Sequence, residues 1–177
     1  PALSPEPAGI SVPASEVLYI VHLQITLLSV GLVVAACVLH FEVLQRASAL
    51  IPTLTIAPRR RTLVVVAAVM IAHILQIGLY GLGYWVGINL LGLGALTGTL
   101  EGNSFDYFYF SATSFTTLGV GDVILEGPLR MLAGIQSLNG LVLIAWSASF
   151  TYLSMERFWT DQRRESGDDG APNANRR

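Results

Sequence analysis

Charge is scarce in this sequence: only 12% of the residues are charged, against roughly 25% in an ordinary soluble domain. Lysine is absent, so all ten basic residues are arginine. Cysteine occurs once, as Cys37, which excludes an intramolecular disulfide and gives no support to a cysteine-based metal site. We interpret Cys37 as a small packed residue. Together with a hydrophobic fraction of 53%, the scarcity of charge excludes an ordinary water-soluble domain and indicates a membrane-embedded chain.

The segments without charge are long. Asp, Glu, Lys and Arg are missing from residues 17–41, 62–100 and 131–155, and each segment exceeds the roughly 20 residues of a transmembrane helix. The first segment has neither the basic flank nor the cleavage pattern of a signal peptide, so we interpret it as a retained helix. We predict transmembrane helices over residues 17–45, 62–88 and 129–155.

The connecting segments differ in charge. Residues 42–61 carry four arginines and one glutamate, whereas residues 101–130 carry four acidic residues and one arginine. By the positive-inside rule, the first connection is cytoplasmic and the second is external. The proline-rich residues 1–16 are then an external, extended or disordered segment, and residues 156–177 are a polar, mobile cytoplasmic tail. The arginines at 59–61 are expected to anchor a helix at the lipid headgroups, since no basic residue lies inside a charge-free segment as a voltage sensor would require.

Residues 101–130 join the outer ends of two predicted helices and must begin and end on one side of the membrane. A helix is predicted over residues 104–115, with Asn103 or Ser104 as its cap and Asp106 in its first turn. Its length is about 18 Å, roughly half the thickness of a membrane. Irregular backbone at membrane depth is tolerated only where protein shields it or where it lines a polar path. We therefore predict a segment that enters the membrane and returns to the same side.

The stretch TTLGVGD, residues 116–122, follows this short helix. Its glycines, Gly119 and Gly121, alternate with Leu118 and Val120, and glycine readily adopts positive φ. This alternation lets successive carbonyl oxygens point to one side of the strand while the larger side chains point to the other. Copies of the stretch around a symmetry axis would stack rings of oxygen ligands suited to a dehydrated monovalent cation.

A short helix followed by Thr-Thr-x-Gly-x-Gly-Asp, between two transmembrane helices, resembles the pore domain of the potassium channel superfamily. The similarity is to the small prokaryotic channels with two transmembrane helices per subunit, and it covers residues 62–155. It implies an all-α integral membrane protein whose outer helix (62–88), re-entrant pore helix (104–115), selectivity filter (116–122) and inner helix (129–155) form a tetrameric pore. The helix over residues 17–45 is an addition to that plan and is expected to pack on its outside.

The resemblance also assigns roles to single residues. Potassium ions would be bound by the backbone carbonyls of Thr117, Leu118, Gly119 and Val120, and Gly121 would be the outer glycine of the filter.

Four further positions have expected supporting roles. Thr116 would pack behind the base of the filter, Thr113 occupies a position behind the filter, and Asp122 would lie at the external mouth. Gly140 is a candidate gating hinge of the inner helix, with close helix packing as the alternative explanation.

Val120 departs from the family pattern. The corresponding residue is usually Tyr or Phe, which can brace the filter against the pore helix, and valine has no such brace. The residues of the usual tryptophan pair are replaced here by Tyr109 and Phe110. Conduction of potassium is therefore the leading hypothesis, and a weakly selective or sodium-permeable channel is its nearest alternative.

Polar residues inside the charge-free segments have two interpretations. Gln136, Ser137, Asn139 and Ser147 could face a cavity or form hydrogen bonds between helices. His73, Gln76 and Tyr80 share one helix face, where a proton or metal site competes with hydrogen bonding between helices. We favour hydrogen bonding between helices or an interfacial location, because no carboxylate or cysteine is nearby in the sequence.

The sequence thus predicts a channel and not an enzyme, because no pair of nucleophile and base and no cluster of metal ligands can be assembled. The expected partners are three further copies of the chain, the lipid bilayer and monovalent cations, without nucleic acid. No cofactor is expected beyond potassium ions in the filter. The expected location is the inner membrane of a bacterial cell, with the N-terminus and the filter mouth outside and the C-terminus in the cytoplasm. A non-conducting membrane scaffold or sensor with a pore fold is the alternative from another class.

Overall fold

The computed structural model of the protein describes residues 13–53 and 58–168. In chain order its elements are α1 (Ala14–Leu50), a short 3-10 turn (Ile51–Thr53), α2 (Pro58–Asn89), β1 (Ala95–Gly98), α3 (Phe105–Phe115), β2 (Val123–Glu126) and α4 (Arg130–Asp168). Most of the predicted N-terminal segment and the end of the predicted tail lie outside the described residues. The four α-helices confirm the predicted all-α class.

Three helices are long and apolar enough to cross a membrane within the part of the chain that the structure describes. They are Ala14–Leu50, Arg60–Asn89 and Arg130–Glu156. The first and third contain the charge-free segments 17–41 and 131–155, and the second covers the charge-free segment 62–100 as far as residue 89, so the number and order of the predicted transmembrane helices agree with the structure. The protein is therefore a membrane protein with several spans.

Helix α1 is longer than predicted at both ends. It begins at Ala14, where an extended segment was expected up to residue 16, and it ends at Leu50 instead of residue 45. No proline or glycine interrupts the chain between its end and the predicted boundary, and Pro52 follows directly, as expected of a helix terminus. Arg46 also pairs with Glu42 one turn earlier, at 2.9 Å, a spacing that supports an exposed helix.

Helix α4 also continues farther than predicted. The inner helix was expected to end at residue 155 and the polar tail to begin at residue 156, but the helix reaches Asp168. Proline is absent from residues 129–171, so no residue in this range forces the backbone hydrogen bonds to stop. The residues predicted as a mobile tail from residue 156 onward are therefore helical as far as residue 168.

The core lies where α1, α2, α3 and α4 meet. Its largest buried side chains include Tyr80 and Tyr84 of α2. Close approach of α1 to α2 depends on Gly83, because a β-carbon there would overlap the side chain of Leu32. At Gly78, on the same helix, no neighbouring atom lies within 4 Å of a β-carbon built there.

A two-stranded antiparallel sheet was not predicted. Strand β1 pairs with β2 so that Ala95 faces Glu126 and Gly98 faces Val123, in a region interpreted as a loop from the sequence. Alternate residues of β2 are buried, Val123 and Leu125, which is the period of a strand with one covered face. The sheet joins the segment after α2 to the segment after TTLGVGD and so ties the two ends of the candidate site together.

Candidate functional site

Helix α3 lies between α2 and α4 and begins one residue later than predicted. The Asn103 side chain caps it, since its Oδ1 accepts the N–H of Phe105 at 2.7 Å, whereas Ser104 makes no capping bond with its side chain. The Asp106 carboxylate accepts the backbone N–H groups of Glu101 and Gly102 at 3.0 and 2.8 Å. The side chains of Asn103 and Asp106 therefore hold the turn that precedes α3 against the start of the helix.

Hydrogen bonds fix the buried face of α3 to both neighbouring helices. Ser111 donates to the carbonyl of Ile77 on α2 at 2.7 Å. Gln136 of α4 donates from Nε2 to Ser111 Oγ at 2.8 Å and to the Ser111 carbonyl at 3.0 Å, and its Oε1 accepts from the Tyr84 hydroxyl. These bonds set the height and the rotation of α3 relative to α2 and α4.

The C-terminal end of α3 contacts α4 at a glycine. A β-carbon at Gly140 would overlap the carbonyl oxygen of Phe115, and Ser137, less than one turn earlier, donates to the Ser114 carbonyl at 2.9 Å. The close-packing explanation of Gly140 therefore has a direct structural basis. Its role as a gating hinge stays a prediction, and α4 runs through this position as one continuous helix.

The backbone of residues 117–121 alternates in the sign of φ. Thr117, Gly119 and Gly121 have φ of 59°, 55° and 85°, whereas Leu118 and Val120 are not among the residues with positive φ. Positive φ is uncommon outside glycine and unfavourable for a β-branched residue, and Thr117 is the one such residue in the described part of the chain. Strain of this kind persists where the surrounding structure holds it and is concentrated at functional sites.

Two backbone hydrogen bonds hold the lower part of this strand to α3. The N–H of Thr117 donates to the Ser114 carbonyl at 3.0 Å, and the N–H of Gly119 donates to the Thr113 carbonyl at 3.2 Å. Thr113 thus touches the strand through its backbone, while its hydroxyl donates to Phe110 at 3.0 Å. The Thr116 hydroxyl donates back to Ala112 at 2.8 Å.

Asp122 holds the upper end of the strand. Its carboxylate accepts the hydroxyl of Tyr109 at 2.8 Å and its own neighbour's N–H, that of Val123, at 3.0 Å. Its carbonyl accepts the N–H of Thr99 at 2.9 Å. The hydrogen bond to the carboxylate raises the pKa of the Tyr109 phenol, because it stabilises the protonated form. Tyr109 was noted in the sequence as a replaced tryptophan, but its bond to Asp122 was not predicted.

The strand between these two supports is open on one side. Leu118 and Val120 are 69% and 55% exposed, and within the described residues no hydrogen bond ends on the carbonyl oxygens of residues 117–121. No group of three or more His, Cys, Asp or Glu suited to a metal occurs among the described residues. The oxygen ligands available here are therefore backbone carbonyls and the Thr117 hydroxyl, which suit a monovalent cation held without carboxylates.

Polar side chains predicted for the helix interiors are bonded between helices. Asn139 donates from Nδ2 to the Tyr80 hydroxyl at 2.9 Å and accepts from Cys37 at 3.6 Å. Ser147 reaches both His40 and His73, at 3.3 and 3.1 Å. Hydrogen bonding between helices, one of the two interpretations of these residues, therefore has a direct structural basis.

A short helix held between two spanning helices, followed by a strand of alternating φ, is the arrangement of an ion channel pore domain. Residues 62–156 match a family of ion channels, and this match covers more than half of the chain. The chain belongs to that family, the two-transmembrane potassium channel family, and the match confirms the predicted resemblance. The family is not enzymatic, as predicted. No curated protein and no solved structure shows a significant match.

Proposed function

We propose that this protein is a homotetrameric channel that conducts potassium passively, with residues 116–122 as its selectivity filter. The observation that carries the proposal is the alternating φ of residues 117–121. A regular strand points successive carbonyls to opposite sides, whereas alternation in the sign of φ turns them to the same side. A row of such oxygens can replace the hydration shell of a potassium ion.

The exposure of the filter strand supports assembly around an axis. One chain supplies one wall of a path, and it leaves apolar Leu118 and Val120 uncovered. Four copies in a closed ring would surround the ions with carbonyls from every subunit, in keeping with the cyclic symmetry of most oligomers. The C-terminal ends of four α3 helices would then direct partial negative charge toward a shared cavity and favour a cation there.

The proposed orientation follows from charge. Helix α3 would re-enter the membrane from the external face, so the acidic residues around the filter mouth would lie outside the cell. The arginines of the α1–α2 connection would lie in the cytoplasm of a bacterial cell, and α1, α2 and α4 would span its inner membrane. Helix α1 packs against α2 and α4, so it would surround the pore from the lipid side.

Potassium flux in liposomes tests the function. Purified protein should carry potassium down its gradient, and reversal potentials under asymmetric potassium and sodium should give a clear preference for potassium. Absence of cation flux from a folded oligomer would contradict the proposal and favour a non-conducting scaffold.

A weakly selective or sodium-permeable channel is a second candidate because of Val120. Its side chain offers no hydrogen bond to α3, and the hydroxyl of Tyr109 on that helix already donates to Asp122. The filter is therefore braced at Asp122 and has no side-chain brace at Val120.

The variant Val120→Tyr separates the two candidates. If missing bracing makes the filter loose, added tyrosine should raise the permeability ratio of potassium to sodium severalfold. If the Tyr109 brace already suffices, the ratio of the unmodified channel is high and the variant leaves it unchanged. Val120→Leu, which changes size without adding a hydroxyl or a ring, is the matched control.

A further inference from the structure

Four side chains from three helices form a closed ring of hydrogen bonds, here called the histidine ring. It consists of His40 of α1, His73 and Gln76 of α2, and Ser147 of α4. Gln76 contacts His40 Nδ1 and His73 Nδ1, each at 3.0 Å, and Ser147 Oγ contacts His40 Nε2 and His73 Nε2 at 3.3 and 3.1 Å. His40, Gln76 and Ser147 are buried, and His73 is half-buried.

The direction of the hydrogen bonds around the histidine ring is determined by Ala36. Gln76 Nε2 lies 3.3 Å from the Ala36 carbonyl as well as near His40 Nδ1. A carbonyl only accepts, so the amide nitrogen of Gln76 must be on this side and the amide oxygen must face His73. His40 Nδ1 is then an acceptor and its Nε2 carries the proton, whereas His73 carries its proton on Nδ1. Every member donates once around the ring and accepts once, with both imidazoles neutral.

Ser147 has a second acceptor within reach. Its Oγ lies 3.0 Å from the Leu143 carbonyl, so the hydroxyl can turn away from His73 without losing a partner. A proton added at His73 Nε2 would then donate to Ser147 Oγ, whose two lone pairs accept from both imidazoles. The histidine ring thus accommodates one extra proton at His73 with all its polar atoms still paired.

His40 offers no equivalent position. Its unprotonated nitrogen, Nδ1, faces the amide of Gln76, and a proton there would set two donors against each other. Turning the Gln76 amide would bring its oxygen against the Ala36 carbonyl, which is unfavourable for two acceptors. His40 is also fully buried, with 0% exposure, so a charge on it would be strongly desolvated.

His73 differs from His40 in lying beside the end of a helix. Its ring lies 5.5 Å from that of Phe115, at the C-terminal end of α3, where the helix dipole favours a cation. It also lines a groove of about 640 Å³ between α2 and α4, together with Thr116 and Ser147. His40 has an aromatic neighbour as well, Trp146 at 5.3 Å, so the helix end and the groove distinguish the two histidines.

Few other titratable groups face the histidine ring. Among the described residues, Tyr152 of α4 lines the groove with His73, whereas Cys37 of α1 and Tyr80 of α2 contact Asn139 and not the histidine ring. The adjacent end of α3 contributes Phe115 and Thr116, which do not titrate. No Asp, Glu or Arg lines the groove, so an imidazolium would have no ion-pair partner there and its charge would act on the groove and the end of α3.

We propose that His73 is a proton-binding site of this protein, which takes one proton at Nε2 while His40 stays neutral. Once the proton is bound, the Ser147 hydroxyl donates to the Leu143 carbonyl alone, and its Oγ already lies 3.0 Å from that carbonyl in the structure. The proposal concerns the protonation of one imidazole and does not depend on which ion the channel conducts.

Nitrogen NMR of the full chain in lipid nanodiscs, with ¹⁵N-labelled histidine, tests the proposal directly. The chain has three histidines, and the variants His22→Gln, His40→Gln and His73→Gln assign their signals. As the pH is lowered, the first of the two imidazoles to take a second proton should be that of His73, at Nε2. His40 should keep a protonated Nε2 and an unprotonated Nδ1 throughout. Protonation of His40 before His73, or of neither, overturns the proposal.

Ser147→Ala tests the part played by the hydroxyl. A hydrogen bond to the charged imidazole is stronger than one to the neutral form, so its loss should move the His73 transition down by about half to one pH unit. Ser149→Ala is the matched control, because this exposed serine of the same helix donates only to Ala145, at 3.2 Å. Ser147→Thr, which keeps a hydroxyl, should restore the transition. An unchanged transition in folded Ser147→Ala would show that Ser147 does not serve the site.

Discussion

The filter strand and the polar interior of the helix bundle show opposite uses of polar groups. In the interior, side chains such as Gln76 and Asn139 are buried and bonded to other helices of the same chain. In the strand over residues 117–121, the apolar side chains of Leu118 and Val120 are exposed and no described residue donates to the backbone carbonyls. The interior pairs its polar groups within a single chain, and the strand leaves its carbonyl oxygens without a hydrogen-bond donor among the described residues.

This difference has a physical meaning. An unpaired polar group away from water costs about 1–3 kcal/mol, so a membrane protein retains such groups only where something else binds them. The bonded interior contributes stability, while the strand leaves carbonyl oxygens free to bind a ligand. If the comparison is correct, changes to close packing should act on folding, and changes to the strand should act on conduction.

The largest effect is expected for Gly140→Ala, at the contact between the two regions. The added β-carbon would overlap the backbone carbonyl of Phe115, which cannot move like the end of a flexible side chain, so unfolding free energy should fall by about 1–3 kcal/mol. Gly134→Ala, on the same helix with no atom within 4 Å, should be neutral or stabilising by up to about 1 kcal/mol.

Thermal unfolding in detergent, with flux in liposomes, measures both variants. If Gly140 served only as a hinge, Ala would stiffen α4 and raise its stability while altering flux. Equal stability of the two variants would therefore contradict the packing explanation.

The second-largest effect is expected for Gly119→Ala, which tests whether the positive φ of this residue is needed for conduction. Gly119→Ala forces an L side chain to φ of 55°, at a cost of roughly 1–2 kcal/mol. Gly92→Ala pays a similar cost at φ of 63°, in a turn where nothing lies within 4 Å of the added carbon. Both variants should lose similar stability, but only Gly119→Ala should abolish potassium flux.

Full flux through the Gly119→Ala channel would show that its backbone conformation is not needed for conduction. Loss of flux in Gly92→Ala would point instead to a general effect of destabilisation.

The sequence predicts the helices of this fold well, because a membrane demands long uncharged segments whatever their tertiary contacts. It also predicts the extent of α3 to within one residue, since Asn103 and Asp106 provide a helix start that local chemistry alone determines. The end of α4 was missed because a polar sequence without proline is compatible with either helix or coil, and composition does not decide between them.

Other features depend on contacts that are distant in the sequence. The pairing of β1 with β2 brings together residues 95–98 and 123–126, which are far apart in the sequence. The histidine ring needs side chains from α1, α2 and α4 in register, which helical periodicity on one helix does not determine. In the filter, Val120 indicated a missing brace, but the bond between Tyr109 and Asp122 that braces its upper end depends on how the chain turns after Gly121.

The smallest effect is expected for Tyr109→Phe, which removes only the hydroxyl bonded to Asp122. The variant should fold and conduct, with the permeability ratio of potassium to sodium reduced by less than about tenfold, since a single hydrogen bond is lost. Tyr107→Phe is the matched control, because that hydroxyl, on the same helix, accepts from Asn89 at 3.0 Å and is remote from the filter. Reversal potentials under mixed potassium and sodium measure the ratio for both variants.

The pH dependence of this bond sharpens the test. The pKa of Tyr109 is raised in the folded protein, so the contribution of its hydroxyl is complete below the ordinary tyrosine value of about 10 and is lost as the pH rises through the raised pKa. The difference in selectivity between Tyr109→Phe and the unmodified channel should therefore stay constant from neutral pH to about 9. A difference that disappears within this range would mean that the hydroxyl does not hold Asp122, and the upper end of the filter would then depend on the backbone bond from Thr99 alone.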